Sequence, residues 1–210
     1  MMKRNNFPFS AVLGLNHAKT AILIVLVNPR AGGLLISGPR GIGKSTLMRS
    51  TQELIERPWR DIPVSITEDR LFGTIDTEKA IYSGQKKLYP GIINEADQGV
   101  LYLDDANLLR EDLLDSILNI AEVGAYQLER DGLSLRCDTS FTITAAINPE
   151  SGMLSGACLD QFGLFVNVDN IHDENTRVEI LKRTISFEKD CASFCNLWKL
   201  ENEKIKKAIH

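Results

Sequence analysis

Short uninterrupted apolar runs alternate with helical periodicity along this chain. GLLIS at 33–37, GVLYL at 99–103 and FTITAAI at 141–147 lack the polar alternation of a half-exposed strand. Such runs read as strands covered on both faces of a parallel sheet. Further strands are expected at 62–66 and, as LFVNV, at 164–168. Helical spacing predicts helices at 16–27 and at 47–56, the latter closed by Arg57-Pro58. Leu109, Leu113, Ile117 and Ile120, flanked by Leu114, Leu118 and Ala121, mark an amphipathic helix. Another helix is capped by Asp173, with Val178, Leu181 and Ile185 expected inward and Arg177, Lys182 and Arg183 outward. Alternation around Asp131-Gly132 predicts a hairpin over 124–136. Residues 7–15 read as an irregular entry segment, and 67–91 as a polar surface insert with a helix at 77–82. The pattern predicts an α/β fold of three layers, α/β/α, around a five-stranded parallel sheet spanning 1–186, followed by a helical tail at 187–210.

Composition narrows the class. With 24 basic against 28 acidic residues, the net charge of -4 argues against nucleic acid or an anionic membrane as partner. Cys137, Cys158, Cys191 and Cys195 are scattered and read as reduced thiols rather than a zinc site. Asn5, Asn6 and Pro8 stand where a signal peptide needs an apolar core, and the apolar run at 21–27 is too short to span a bilayer. A soluble, cytoplasmic protein is expected.

The candidate chemistry is concentrated after the first strand. Gly38, Pro39, Arg40, Gly41, Ile42, Gly43, Lys44, Ser45 and Thr46 fit G-x-x-x-x-G-K-[ST], set between a strand and a helix. Glycines let backbone approach phosphate oxygens, Lys44 offers a compact charge, and the Ser45 hydroxyl suits Mg²⁺. ATP with Mg²⁺ is the expected ligand. The run at 99–103 delivers Asp104 and Asp105 at a strand end, where α/β sheets place ligands. Asp104 is read as the Mg²⁺ partner and Asp105 as the group that polarises water. Asn148, at the end of the 141–147 strand, is the candidate that orients the attacking water and senses the γ-phosphate. No guanine-reading Asn-Lys-x-Asp occurs, and Leu154-Ser155-Gly156-Ala157 lies after the acidic strand, unlike the signature of ABC-type ATPases. These features point to the AAA+ class.

The segments FPFSAVLGLNHAK, NPRAGGLLISGPRGIGKST, TEDRLFGTIDTEKA, YPGIINEADQGVLYLDDANLL, GAYQLERDGLSL, AAINPESG, LDQFGL and TRVEILKR follow one another from Phe7 almost to the end. In that order they resemble the ATPase subunit of magnesium chelatase, a branch of the AAA+ proteins. The resemblance implies a helical insert at 67–89, a pore-side or inter-subunit hairpin at 124–136, and assembly into an ATP-dependent ring. That ring is a homo-oligomer, expected to be hexameric, or a hetero-ring with a subunit carrying a von Willebrand A domain. A porphyrin-binding subunit would receive the work, the insertion of a metal into a tetrapyrrole. Three departures stand out. Asp105 replaces the family's Glu, withdrawing the carboxylate by about one C–C bond, roughly 1.5 Å. Gln161, in Leu159-Asp160-Gln161-Phe162-Gly163, replaces the arginine that reaches into a neighbour's nucleotide. The sequence stops where the family continues into a helical lid with a further sensor arginine, so 187–210 is read as the start of a truncated lid. On that reading the sequence is either a fragment or a protein that lost the lid. The main expectation is an ATPase that binds MgATP well and turns it over slowly alone. Its alternatives are a non-hydrolysing scaffold subunit and a remodelling ATPase of MoxR type.

Overall fold

The structure is a computed structural model that describes residues 6–75, 88–130 and 133–209. Five parallel strands form the central sheet: β1 (Leu34–Ser37), β2 (Trp59–Ile62), β5 (Val100–Leu103), β8 (Thr142–Ile147) and β9 (Leu164–Asn167). Their order is β2-β5-β8-β1-β9. Every residue of β1, β5 and β8 is buried, as their unbroken apolar runs require.

The two sheet faces nucleate separate cores. Leu35, Leu101, Leu103, Ile143, Ala145 and Ile147 pack with Leu113, Leu114, Ile117 and Leu118 of α5 (Glu111–Val123). On the other face Leu34, Ile36, Val100, Tyr102 and Ala146 meet α1 (Asn16–Val27), together with Leu47 and Met48 of α2 (Lys44–Ser50). The parity of each strand assigns its side chains to one layer or the other. The expected α/β/α sandwich is therefore the observed one.

Two small ribbons flank it. Strands β3 (Gly73–Ile75) and β4 (Leu88–Pro90) pair antiparallel beside α3 (Glu68–Phe72) and α4 (Ile92–Glu95). The described ends of the insert thus form a ribbon, and the helix expected at 77–82 lies outside the described residues. The hairpin pairs β6 (Ala125–Arg130) with β7 (Leu133–Asp138) in the register its Asp-Gly implies. Its Tyr126 hydroxyl donates to Phe72 O at 2.7 Å, tying hairpin to insert.

Three expectations shift. The second strand is Trp59–Ile62, not 62–66, because Pro58 and Pro63 bracket it and Val64 turns out to solvent. Helix α2 ends at Ser50, where the Ser50 and Thr51 hydroxyls donate back to Leu47 O and Met48 O.

The third shift concerns α7 (Glu174–Lys189), which follows α6 (Gly156–Asp160). Asp173 caps α7 as expected, accepting from Thr176 N at 2.7 Å. Arg177 and Lys182 are exposed as expected, but the apolar stripe is exposed too: Val178, Leu181 and Ile185 are 49%, 62% and 61% exposed. The inward stripe is Ile180, Arg183 and Phe187. Arg183 donates to Ala11 O at 2.9 Å and stacks over Trp198 at 4.6 Å, while the Phe187 ring lies 5.1 Å from that of Phe7. A guanidinium and an aromatic ring with partners outcompete an aliphatic stripe without them.

The tail is one helix, α8 (Cys191–Ile209), that packs back on the domain. Its Asn202 Oδ1 accepts from Ser10 N and Ser10 Oγ, and Lys206 pairs with Glu56 at 2.8 Å. Among the described residues no helix is long and apolar enough to cross a membrane.

Candidate nucleotide site

Because β5, β8 and β1 are neighbours in a parallel sheet, their C-terminal ends deliver three groups of residues to one edge. The loop after β1 carries residues 38–43. Gly43 caps α2 with φ of +91°, a conformation costly for residues bearing a Cβ. Gly38 N donates to Ile147 O at 3.2 Å, which pins the loop entrance to β8.

Lys44, only 7% exposed, donates from Nζ to Gly38 O at 2.6 Å and Pro39 O at 2.8 Å. The ammonium thus closes the loop on its own carbonyls. Burial pulls its pKa below the ordinary value, and the carboxylates of Asp105 and Asp104 offset this only in part. A phosphate oxygen entering the loop offers this cation a stronger acceptor than either carbonyl.

The acidic pair after β5 divides its duties. Asp104 Oδ1 accepts from Ser45 Oγ at 2.8 Å and from Tyr102 OH at 2.9 Å, and its Oδ2 accepts from Arg49 Nη2 at 2.9 Å. Burial, and next the Asp104 charge, push the Tyr102 phenol upward, so it remains a donor. Asp105 departs from the strand in the left-handed region, at φ 51° and ψ 49°, a region where Asp is enriched. Its Oδ2 lies 4.0 Å from Arg40 at the loop tip. Ser45 and Asp104 therefore place hard oxygen donors side by side, the donor chemistry Mg²⁺ prefers.

Asn148 stands at the expected strand end but is 2% exposed and engaged locally. Its Oδ1 accepts from Glu150 N and its Nδ2 donates to Ser151 Oγ, both at 3.2 Å. Asn107, not singled out from the sequence, donates to Asn148 O at 3.1 Å and Gly152 O at 2.9 Å. It clamps the turn after Asp105 to the turn after β8.

A cleft of about 750 Å³ opens beside the loop. Ile42, Gly43 and Thr46 form its floor, Val12 and Leu13 one wall, and Ile171, Arg177 and Ile180 the other. This size lies within the range of about 300–1,000 Å³ for small-molecule sites. Sequence reasoning missed these walls, since each lies far from the loop in the chain. The one available signal was the apolar cluster Phe7, Phe9, Val12 and Leu13 in a segment that reads as irregular and folds as a short 3-10 helix, Phe9–Ala11.

Gln161 is not brought to this edge. It is exposed at the end of α6 and lines a separate cavity of about 280 Å³ with Gly32, Gly33 and Glu122. It cannot serve the nucleotide loop of its own chain from there.

Comparison with known proteins bears on this geometry. The family profile described as AAA domain (dynein-related subfamily) matches residues 33–162. The magnesium-chelatase 38 kDa subunit of Cereibacter sphaeroides is 34% identical over 97% of this chain and 71% of its own length. The magnesium-chelatase subunit ChlI of Cyanophora paradoxa is 33% identical over 99% of this chain and 72% of its own. A ChlI homolog from Methanocaldococcus jannaschii is 32% identical over 100% and 67%, respectively. Among solved structures, the complex between subunits BchI and BchD of magnesium chelatase, based on a single-particle cryo-EM reconstruction at 7.5 Å, contains a similar chain. The TM-score is 0.73 at 34% identity, covering 98% of this chain and 74% of that one.

Proposed function

The chain belongs to the magnesium-chelatase ATPase-subunit family of AAA+ proteins, and from that premise we propose that it is a MgATP-driven ring subunit whose conformational work serves metal insertion into a tetrapyrrole. The observation that carries the reading is the hydrogen bond from Ser45 to Asp104 beside the buried Lys44, a magnesium-ready pair next to a phosphate loop.

On nucleotide entry Lys44 leaves Gly38 O and Pro39 O for the outer phosphate oxygens. Ser45, through a hydroxyl lone pair that its bond to Asp104 leaves free, and Asp104 would hold Mg²⁺. Held there, the cation would supply positive charge against the phosphates. Asp105 polarises the attacking water. Asn148 would sense the γ-phosphate through the amide nitrogen that here donates to Ser151.

Gln161 favours a second reading, a nucleotide-holding subunit that does not hydrolyse. Its neutral amide supplies none of the charge by which an arginine accelerates related phosphoryl transfers by about 10³–10⁵. Under either reading the chain works in a ring, as a homo-oligomer or with a companion subunit. The companion expected is a D-type subunit like that in the BchI–BchD complex, with a porphyrin-binding subunit downstream.

Assembly is the test. Size-exclusion chromatography of this chain with a D-type chelatase subunit should give a joint high-mass peak with MgATP and separate peaks without nucleotide. Separate elution under both conditions would overturn the ring-subunit proposal.

A further inference from the structure

We propose that Arg49 is a positioning residue for the magnesium side of the site: anchored on Asp61, it fixes the Asp104 carboxylate in the orientation that faces Ser45. This rests on the reading of Asp104 as the carboxylate that serves Mg²⁺.

The helix supplies the first half of the arrangement. Arg49 follows Ser45 by four residues on α2, so hydroxyl and guanidinium share one face. They take different oxygens of the same carboxylate. Ser45 Oγ donates to Oδ1 at 2.8 Å, and Arg49 Nη2 donates to Oδ2 at 2.9 Å.

The sheet supplies the second half. Asp61 lies on β2 opposite Tyr102 of β5. Its Oδ2 accepts from Arg49 Nε at 3.3 Å, and its Oδ1 accepts from Trp59 Nε1 at 3.2 Å. The guanidinium also faces the Tyr102 ring, 5.8 Å from its centroid. Arg49 therefore bridges two carboxylates through separate nitrogens.

The two oxygens of Asp104 have different partners. Oδ1 is held by two hydroxyls, and Ser45 keeps a lone pair for a cation while it donates there. Oδ2 is held by the arginine. Without that hold, the other cation acting on Asp104 is Lys44, whose ammonium already feels its charge. A carboxylate drawn toward Lys44 would face the phosphates instead of the metal's waters.

Folding stability does not explain this network. The side chains of Arg49, Asp61 and Asp104 are 41%, 41% and 29% exposed, and ion pairs this open contribute little to the fold. Nor is lysine an equivalent, since a single ammonium lacks the fork that reaches both carboxylates.

The test is titration of a fluorescent ATP analogue into the full chain, once with Mg²⁺ and once with EDTA, for the unmodified protein, Arg49→Lys and Asp61→Asn. Both variants keep the arginine-site charge, so affinity in EDTA should change by less than about twofold. The gain on adding Mg²⁺ should shrink by about tenfold, as for residues that orient a metal's ligands. Melting temperatures should hold, and Asp61→Asn carries the test if Arg49→Lys folds poorly. Equal losses with and without Mg²⁺ would make Arg49 a plain phosphate counter-charge and overturn the proposal, as would retention of the full gain in both variants. Should the unmodified chain show no gain from Mg²⁺, the magnesium reading of Asp104 itself falls, and the role of Arg49 with it.

Discussion

Replacing Lys44 by alanine lowers MgATP affinity by about 100-fold or more and leaves the fold standing. Its ammonium now satisfies only Gly38 O and Pro39 O, and both bonds are internal to the loop. Bound nucleotide would exchange them for two charge-assisted bonds to phosphate, each worth about 1.5–3 kcal/mol. The lower sum, about 3 kcal/mol, already corresponds to roughly two orders of magnitude in Kd. Removing a buried ammonium also removes its desolvation cost, so stability changes little by comparison. Calorimetric titration alongside a melting curve checks both halves. A folded Lys44→Ala chain that still binds within a few-fold of the unmodified one would contradict the phosphate-loop assignment.

Restoring the two side-chain departures among the three from the family pattern should raise turnover, and in a way that depends on assembly. Gln161→Arg is expected to accelerate steady-state ATP hydrolysis by about 10²–10³, below the full range for an arginine supplied by a neighbour. Because Gln161 lies away from its own chain's loop, the gain should grow with protein concentration and vanish under dilution. Asp105→Glu extends the carboxylate by about 1.5 Å, and a misplacement near 1 Å costs on the order of 100-fold. The longer side chain must occupy φ 51° and ψ 49°. A modest fall in melting temperature should therefore accompany it, reflecting about 1 kcal/mol of left-handed strain. Phosphate release measured across a concentration series checks this pair. No acceleration in the doubly substituted, assembled protein would favour the scaffold reading.

Much of this architecture is legible in the sequence because it follows from local rules. The apolar runs at 33–37, 99–103 and 141–147 form the buried strands β1, β5 and β8, that at 164–168 forms the half-open β9, and spacing alone puts Asp104 and Asn148 at strand ends. The glycine motif locates the loop. What stays hidden depends on contacts distant in sequence. Periodicity finds two stripes on α7 but cannot tell which will meet Phe7, Ala11 and Trp198. The proline pair around β2 is visible, yet the aliphatic content of 62–66 outweighs it. Arg49, Tyr102 and Asn107 carry no motif. Their roles exist only where α2, β5 and the β8 turn converge on Asp104 and Asn148. Asn148 is legible in place but not in orientation, since its amide serves Glu150 and Ser151.

The central claim is that this chain holds MgATP at Gly38–Thr46 and cuts it slowly when alone. The direct measurement is a binding isotherm for ATP with Mg²⁺, paired with phosphate release from the same unmodified sample. The account predicts saturable binding that tightens with Mg²⁺ and turnover well below the roughly 1–10³ s⁻¹ typical of enzymes. Absence of MgATP binding by the folded chain would contradict it.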